Sequence, residues 1–205
     1  MALTHFPGAV RPAVEAVLRL DATLAEVVAV TTEPMIGTIR LAWWREALEK
    51  LDREAAPAEP RLAALAEHVL PRGVTGAMLA RIEDGYAALL EPAIDLDRVG
   101  RGGAALFEAV APLLGHDDPY LGKAGALAML GRVRGLVPDD VAPAARALMR
   151  ELGGHRFARP LRPLTLLARL AARDFLRRTP EPEATPGRAF AMLSHRLSGI
   201  VAGAN

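Results

Sequence analysis

The sequence contains no cysteine and has few aromatic residues. None of its 205 residues is cysteine, which excludes disulfide bonds and thiolate zinc sites and is consistent with a reducing cytoplasm. Only 4% of the residues are aromatic, and the β-branched and aromatic residues that favour strands are sparse. No apolar run reaches the roughly 18 residues that a membrane-spanning helix needs, so none is expected.

A strong excess of one charge is also missing. The chain has 25 Lys and Arg against 24 Asp and Glu, for a net charge of +1. A protein that binds the phosphate backbone of nucleic acids normally carries a clear basic excess, so nucleic acid is not expected as a partner. Residues 1–9 lack a charged segment followed by an apolar stretch, so no signal peptide is predicted and a cytoplasmic location is expected.

The residues that are abundant predict helices. Hydrophobic residues make up 51% of the chain, and among them Ala and Leu, which favour helices, dominate. Pro and Gly divide the sequence into eight or nine segments with helical apolar spacing. A chain of this length is expected to form one domain. The sequence therefore predicts a single all-α domain over residues 1–205, with residues 179–186 as a connector before a last helix.

The apolar stripe of that last helix is predicted from four residues at helical spacing. They are Phe190, Leu193, Leu197 and Ile200. The glycines of residues 100–103 are interpreted as sites of close helix packing or a helix start, because no strand precedes them and no Lys-Ser/Thr pair follows, as a phosphate-binding loop would require.

The most distinctive segment is Glu33 to Leu48, which contains two adjacent tryptophans, Trp43 and Trp44. Neighbouring residues on a helix point about 100° apart. Both rings therefore cannot face one seam, and we expect one tryptophan in the core and one at a rim or groove. Residues 31–33 are predicted to cap this helix.

This segment resembles the squalene/phytoene synthase family, especially a short bacterial and mitochondrial branch in which the form EPM-GEIRL-WWR-AL recurs. Weaker similarity extends over about residues 10 to 180. The resemblance implies an all-α isoprenoid synthase fold, a helical bundle around a central apolar cavity. The short branch includes mitochondrial proteins implicated in the assembly of respiratory complex I, which implies an assembly role as one option.

Active members of this family join two prenyl diphosphates head to head, with Mg²⁺ held between two aspartate-rich motifs. Mg²⁺ prefers oxygen ligands and offsets charge on the departing diphosphate. The resemblance places the first motif at residues 25–29, where Glu26 is the sole acid, and the second at residues 127–135, which contain none. We therefore expect no catalytic residue, no metal and no other cofactor, with Mg²⁺ required only if the protein is an enzyme after all. The nearest acids, Asp139 and Asp140, are predicted to cap a helix.

A remnant of the family's pocket is expected around the double tryptophan. The candidate pocket-lining residues are Glu26, Arg40, Trp43, Trp44, Arg45 and Tyr86. Arg matches phosphate geometry bidentately, so Arg40 and Arg45 could bind an isoprenoid diphosphate. The expected ligand of the pocket is therefore an isoprenoid diphosphate or another apolar molecule. The alternative is that both arginines are simply solvated.

Residues 156–178 are rich in arginine. They include Arg156, Arg159, Arg162, Arg169, Arg173, Arg177 and Arg178. Such a segment is typical of a surface that contacts an anionic membrane or an acidic protein partner. Contact with a membrane would place the protein at the membrane periphery. The alternative is a solvated face whose arginine stems cover apolar surface.

Three functions remain open from the sequence. The first is a non-catalytic protein with a binding or assembly role that reuses the cavity. The second is an active Mg²⁺-dependent head-to-head prenyltransferase, which requires acids such as Asp21, Glu26, Asp139 and Asp140 to converge. The third is a structural helical interaction domain whose cavity has filled.

Overall fold

The computed structural model describes residues 5–137, 141–177, 182 and 184–203. Within these residues the chain forms nine α-helices and no strand, which confirms the all-α prediction. The helices are α1 (Arg11–Val30), α2 (Pro34–Lys50), α3 (Pro60–His68), α4 (Gly76–Ala87), α5 (Leu96–Val110), α6 (Leu121–Val133), α7 (Val141–Glu151), α8 (Arg162–Phe175) and α9 (Pro186–Ser198). The predicted cap at Asp139 and Asp140 and half of the 179–186 connector lie outside the described residues.

Prolines and side-chain caps place most helix starts where the sequence predicts them. Five of the helices, α1, α2, α3, α8 and α9, carry Pro in their first two positions, where the missing N–H costs no hydrogen bond. The Thr75 hydroxyl caps α4, where it accepts a hydrogen bond from the Met78 N–H at 3.1 Å. The Asp95 carboxylate caps α5. This helix therefore begins several residues before Gly102.

The predicted cap of α2 at residues 31–33 is wrong. Glu33 occupies the N-cap position but its side chain accepts no hydrogen bond from the helix. The Thr31 hydroxyl instead donates to the Val27 carbonyl at 2.5 Å. This bond satisfies the end of α1, so Thr31 is not available to cap the start of α2.

Glycines allow α4, α5 and α6 to pack with their backbones in close approach. A Cβ atom on Gly102 would lie 2.7 Å from the Gly85 Cα, and one on Gly103 would lie 2.5 Å from the Met129 Cβ. Real Cβ atoms almost never approach that closely. The interpretation as helix-packing positions is therefore confirmed for Gly102 and Gly103.

We expect Gly103→Ala to lower the free energy of unfolding by about 1–3 kcal/mol, the usual cost of overpacking. Gly100→Ala is the matched control, because its Cβ would sit 3.4 Å from the Ala126 Cβ in ordinary contact. The control should gain up to about 1 kcal/mol of helix stability. Chemical denaturation of both variants measures the difference, and equal stabilities would show that α5 does not pack as tightly as described.

Helix α9 turns a different face to the protein than the sequence predicts. Phe190, Leu193 and Leu197 are 72%, 57% and 74% exposed, whereas Ala191 and His195 are buried. His195 Nδ1 lies 3.0 Å from the Ile200 carbonyl, and its Nε2 lies 3.0 Å from the Thr165 hydroxyl on α8. The predicted apolar stripe therefore does not face the core. The contacts of His195 and the small Ala191 turn the opposite side of the helix toward the protein.

Acidification should weaken this attachment of α9. Burial lowers the pKa of His195 below its ordinary value, so at acid pH the unfolded chain binds a proton that the folded chain resists. The contribution of His195 is therefore fully present above about pH 6.5 and is lost as pH falls below it. Urea denaturation at several pH values should show a weaker pH dependence for His195→Gln than for the parent, while His116→Gln, at an exposed position, keeps the parent's dependence. Identical slopes for the parent and His195→Gln would contradict this assignment.

Candidate functional site

Helices α1, α4 and α6 contribute three polar side chains that bond to one another, which we call the Asp21 cluster: the buried Asp21 and Tyr86 and the partly exposed Arg132. The Tyr86 hydroxyl donates to Asp21 Oδ1 at 2.6 Å. Arg132 Nη1 lies 2.6 Å from Asp21 Oδ2 and 2.5 Å from the Tyr86 oxygen. Each of the three groups therefore bonds to the other two, and both oxygens of the carboxylate are engaged.

The sequence places this acid inside the protein because Asp21 lies beside the apolar residues that turn α1 toward the core. Leu20 and Leu24 are fully buried and Asp21 is 2% exposed. A buried charge must be paired and hydrogen-bonded to be tolerated. Burial, and after it the neighbouring carboxylate, raises the pKa of Tyr86 well above its ordinary value. Tyr86 therefore stays protonated and acts as the donor to Asp21.

A second buried carboxylate, Glu83 on α4, is held by an arginine of α2. Arg45 Nε and Nη2 lie 2.6 Å and 2.5 Å from Glu83 Oε2. Burial raises the pKa of Glu83 despite the opposing charge of Arg45. The adjacent Asp84 pairs with Arg98 at 2.8 Å, and this hydrogen bond holds the pKa of Asp84 below its ordinary value.

The structure separates the residues that the sequence groups into one pocket. Tyr86 and Trp44 are buried in the core, and Arg45 is bound to Glu83. Glu26, Arg40 and Trp43 lie at the surface. The prediction of one core and one rim tryptophan is confirmed, since Trp44 is 6% and Trp43 is 49% exposed. Their rings meet edge to face with centroids 5.1 Å apart.

Trp43 belongs to an exposed apolar surface that we call the α2 stripe: Met35, Ile36, Ile39 and Trp43. These four side chains are 43% to 73% exposed. The opposite face of α2 buries Leu41, Trp44 and Leu48. Exposed apolar surface of this kind is commonly a contact site for another molecule.

Two open grooves mark the surface elsewhere. One, of about 370 Å³, lies between α2, α4 and α5 and is lined by Arg45, Asp84 and Arg101 among other residues. The other, of about 550 Å³, lies between α8 and α9. The interior between α1, α4 and α6, by contrast, holds the Asp21 cluster.

The described residues do not fit a magnesium site of the family type. Within the first-motif stretch, Glu26 is exposed, and it follows Asp21 by five positions, which puts the two on different faces of α1. The second-motif stretch supplies Arg132, which binds Asp21. No group of three or more His, Cys, Asp or Glu side chains in the described part of the chain is arranged to hold a metal ion. Asp139 and Asp140 lie outside that part.

Two arginines of the 156–178 segment have a structural role. Arg162 donates to the carbonyls of Phe157, Arg196 and Leu197 at 2.8–3.0 Å. Arg169 donates to the Val201 carbonyl at 3.1 Å. They hold the end of α9 and the chain after it against α8. Arg156 and Arg159 remain exposed, and Arg178 lies outside the described residues.

Sequence reasoning missed Arg132, because its partner lies far away in the sequence and no local spacing links them. It also missed the pair of Glu83 with Arg45. One sequence signal could have found both pairs: α1 and α4 each contain an acidic residue among apolar residues that face the core. A buried carboxylate requires a cation or a hydrogen-bond donor.

The order and packing of these helices define an all-α protein consistent with the isoprenoid synthase fold. The family model for squalene/phytoene synthase matches residues 1–99. Through this part, which spans α1 to α4 and the start of α5, the chain matches the squalene/phytoene synthase family, as the double-tryptophan segment predicts. No curated protein and no solved structure matches the chain.

Proposed function

We propose that this protein is a non-catalytic member of the squalene/phytoene synthase family with a binding or assembly role. The observation that carries the proposal is the state of its two buried carboxylates. Asp21 and Glu83 are both bound by arginines of facing helices, Arg132 and Arg45. A guanidinium supplies the positive charge that a carboxylate needs, but unlike Mg²⁺ it is not a Lewis acid that coordinates a carboxylate and a diphosphate oxygen together.

A magnesium ion would compete poorly with Arg132 at this site. Binding at Asp21 requires the loss of the bonds from both Tyr86 and Arg132. It also places a divalent ion beside a guanidinium. The like charges of the two ions repel each other. The arrangement therefore favours the closed ion pair over metal capture.

The α2 stripe supports the binding part of the proposal. It lies in the segment that carries the family resemblance, and it presents Ile39 and Trp43 to solvent beside the exposed Arg40. An apolar surface with an adjacent cation suits an isoprenoid diphosphate or another apolar ligand. The assembly option rests on the resemblance to the short branch of the family.

The test is a turnover assay with farnesyl diphosphate and geranylgeranyl diphosphate in the presence of Mg²⁺, with an active family member run in parallel. We expect no squalene- or phytoene-type hydrocarbon above the protein-free background. A hydrocarbon that scales with protein concentration and disappears when EDTA removes the metal would establish the active prenyltransferase instead.

The Asp21 cluster, which joins α1, α4 and α6 by buried polar bonds, favours a second candidate, a structural helical interaction domain. Thermal unfolding with and without farnesyl diphosphate separates it from a ligand-binding protein. A ligand that binds the folded state raises the unfolding temperature, so a concentration-dependent rise supports isoprenoid binding. An unchanged temperature favours the interaction domain.

A further inference from the structure

The exposed side of α9 combines large apolar side chains in one row. Phe190, Leu193 and Leu197 follow the spacing i, i+3 and i+7, which places them on one face of the helix. They are 72%, 57% and 74% exposed. We call this row, together with Arg159 and Arg196 at its edge, the α9 face. Water contact with three large apolar side chains is unfavourable, so this surface is suited to an apolar environment.

The edge of this row is basic. The 550 Å³ groove beside it is lined by Leu166, Met192, Leu193 and Leu197 together with Arg159, Arg162, Arg196 and two histidines, and no carboxylate lines it. The Arg159 side chain makes no hydrogen bond or ion pair in the described part of the chain, and the Arg196 side chain bonds to His5 at 3.4 Å. Their positive charges are therefore not neutralised by neighbouring acids.

Negative charge is also scarce along α9 itself. Its residues, Pro186–Ser198, include no Asp or Glu. The nearby Asp174 on α8 is bound through both carboxylate oxygens by Arg188 at 2.9 Å. The arginines at the groove thus face the solvent without a competing carboxylate from α8 or α9 among the described residues.

The α2 stripe, unlike the α9 face, has acidic neighbours. Its surroundings include the exposed acids Glu33, Glu46 and Glu49. An apolar row with a basic edge is the composition of helices that lie in the surface of an anionic membrane, whereas acidic neighbours oppose such binding. The charge pattern therefore selects α9, and not α2, for a lipid surface.

We propose that the α9 face docks on an anionic lipid bilayer, with Phe190, Leu193 and Leu197 inserted among the lipids and Arg159 and Arg196 at the phosphate headgroups. With 13 residues, α9 is about 20 Å long, so it lies along the surface. No helix among the described residues has both the length and the apolarity to cross a bilayer. This proposal stands apart from the catalytic question and does not depend on it.

The test is co-flotation of the whole protein with vesicles of phosphatidylcholine alone and with vesicles that also contain phosphatidylglycerol. We expect binding to the anionic vesicles only, and weaker binding at higher salt. Arg159→Gln/Arg196→Gln should reduce the affinity by about ten- to thirtyfold, from roughly 1 kcal/mol per charge at a membrane surface. Leu193→Ser/Leu197→Ser should reduce it at least as much.

The matched control is Met35→Ser/Ile39→Ser, which removes comparable exposed apolar surface from the α2 stripe. It should bind as the parent does. Absence of binding to anionic vesicles, equal binding to both vesicle types, or a larger loss in the α2 variant than in both α9 variants would overturn the proposal. All six altered residues are exposed, so unfolding curves matching the parent are expected for each variant.

Discussion

Replacement of Arg132 by Met is expected to lower the free energy of unfolding by about 3 kcal/mol, the lower end of the cost of breaking a buried ion pair. The Asp21 side chain is 3% exposed and would lose the one cation with which it pairs among the described residues, whereas the Arg132 side chain is 39% exposed. Because Arg132 is partly exposed, we expect a cost at the lower end of the range for a buried ion pair. Urea denaturation at neutral pH measures the loss.

Two comparisons isolate the ion pair. Arg19→Met removes a 71% exposed arginine that pairs with Glu15, and its cost should stay below about 1 kcal/mol, as for other surface pairs. Asp21→Leu combined with Arg132→Met removes both charges, and should recover much of the stability lost in Arg132→Met alone. If Arg132→Met costs no more than Arg19→Met, Arg132 does not neutralise Asp21 in the folded protein.

The second large effect is expected at Trp44. Its ring is 6% exposed in the core between α2 and α4, and truncation of a buried Trp to Ala usually costs about 3–5 kcal/mol. Trp43→Ala is a control of identical chemistry one residue away. Because Trp43 is 49% exposed, we expect a cost of about 1 kcal/mol, mainly from its edge-to-face contact with Trp44.

Thermal and chemical unfolding of the two tryptophan variants provide the measurement. The variants share composition, so a difference between them reports burial alone. A Trp43→Ala variant that is as destabilised as Trp44→Ala would show that α2 is rotated from its described orientation. In that case the α2 stripe would not be a solvent-facing surface.

The helices could be predicted because local signals specify them. Pro12, Pro34 and Pro60 mark helix starts, Thr75 caps α4, and the apolar spacing of each segment repeats with the helical period. The fold class followed from these signals and, independently, from the double-tryptophan segment.

The orientation of α9 could not be predicted in the same way. Helical spacing shows that Phe190, Leu193 and Leu197 share a face, but it does not show whether that face meets the core. The contacts of His195 with Thr165 and the Ile200 carbonyl decide the orientation. Such contacts join residues that no sequence period relates.

The candidate site was predictable in part. The absence of acids at residues 127–135 and the lone Glu26 are visible in the sequence. The use of Arg132 to bind Asp21 is not, because a long-range ion pair leaves no spacing signal. The structure therefore replaces a single remnant pocket by two separate features, the buried Asp21 cluster and the exposed α2 stripe.

The central claim is that arginines, and not a metal ion, neutralise the buried carboxylates. Electron paramagnetic resonance of Mn²⁺, used in place of Mg²⁺, tests it directly in the presence of farnesyl diphosphate. We expect the same free Mn²⁺ signal with the protein as in a protein-free sample that contains the same diphosphate. A loss of free signal in proportion to protein concentration, abolished in Asp21→Asn, would contradict it.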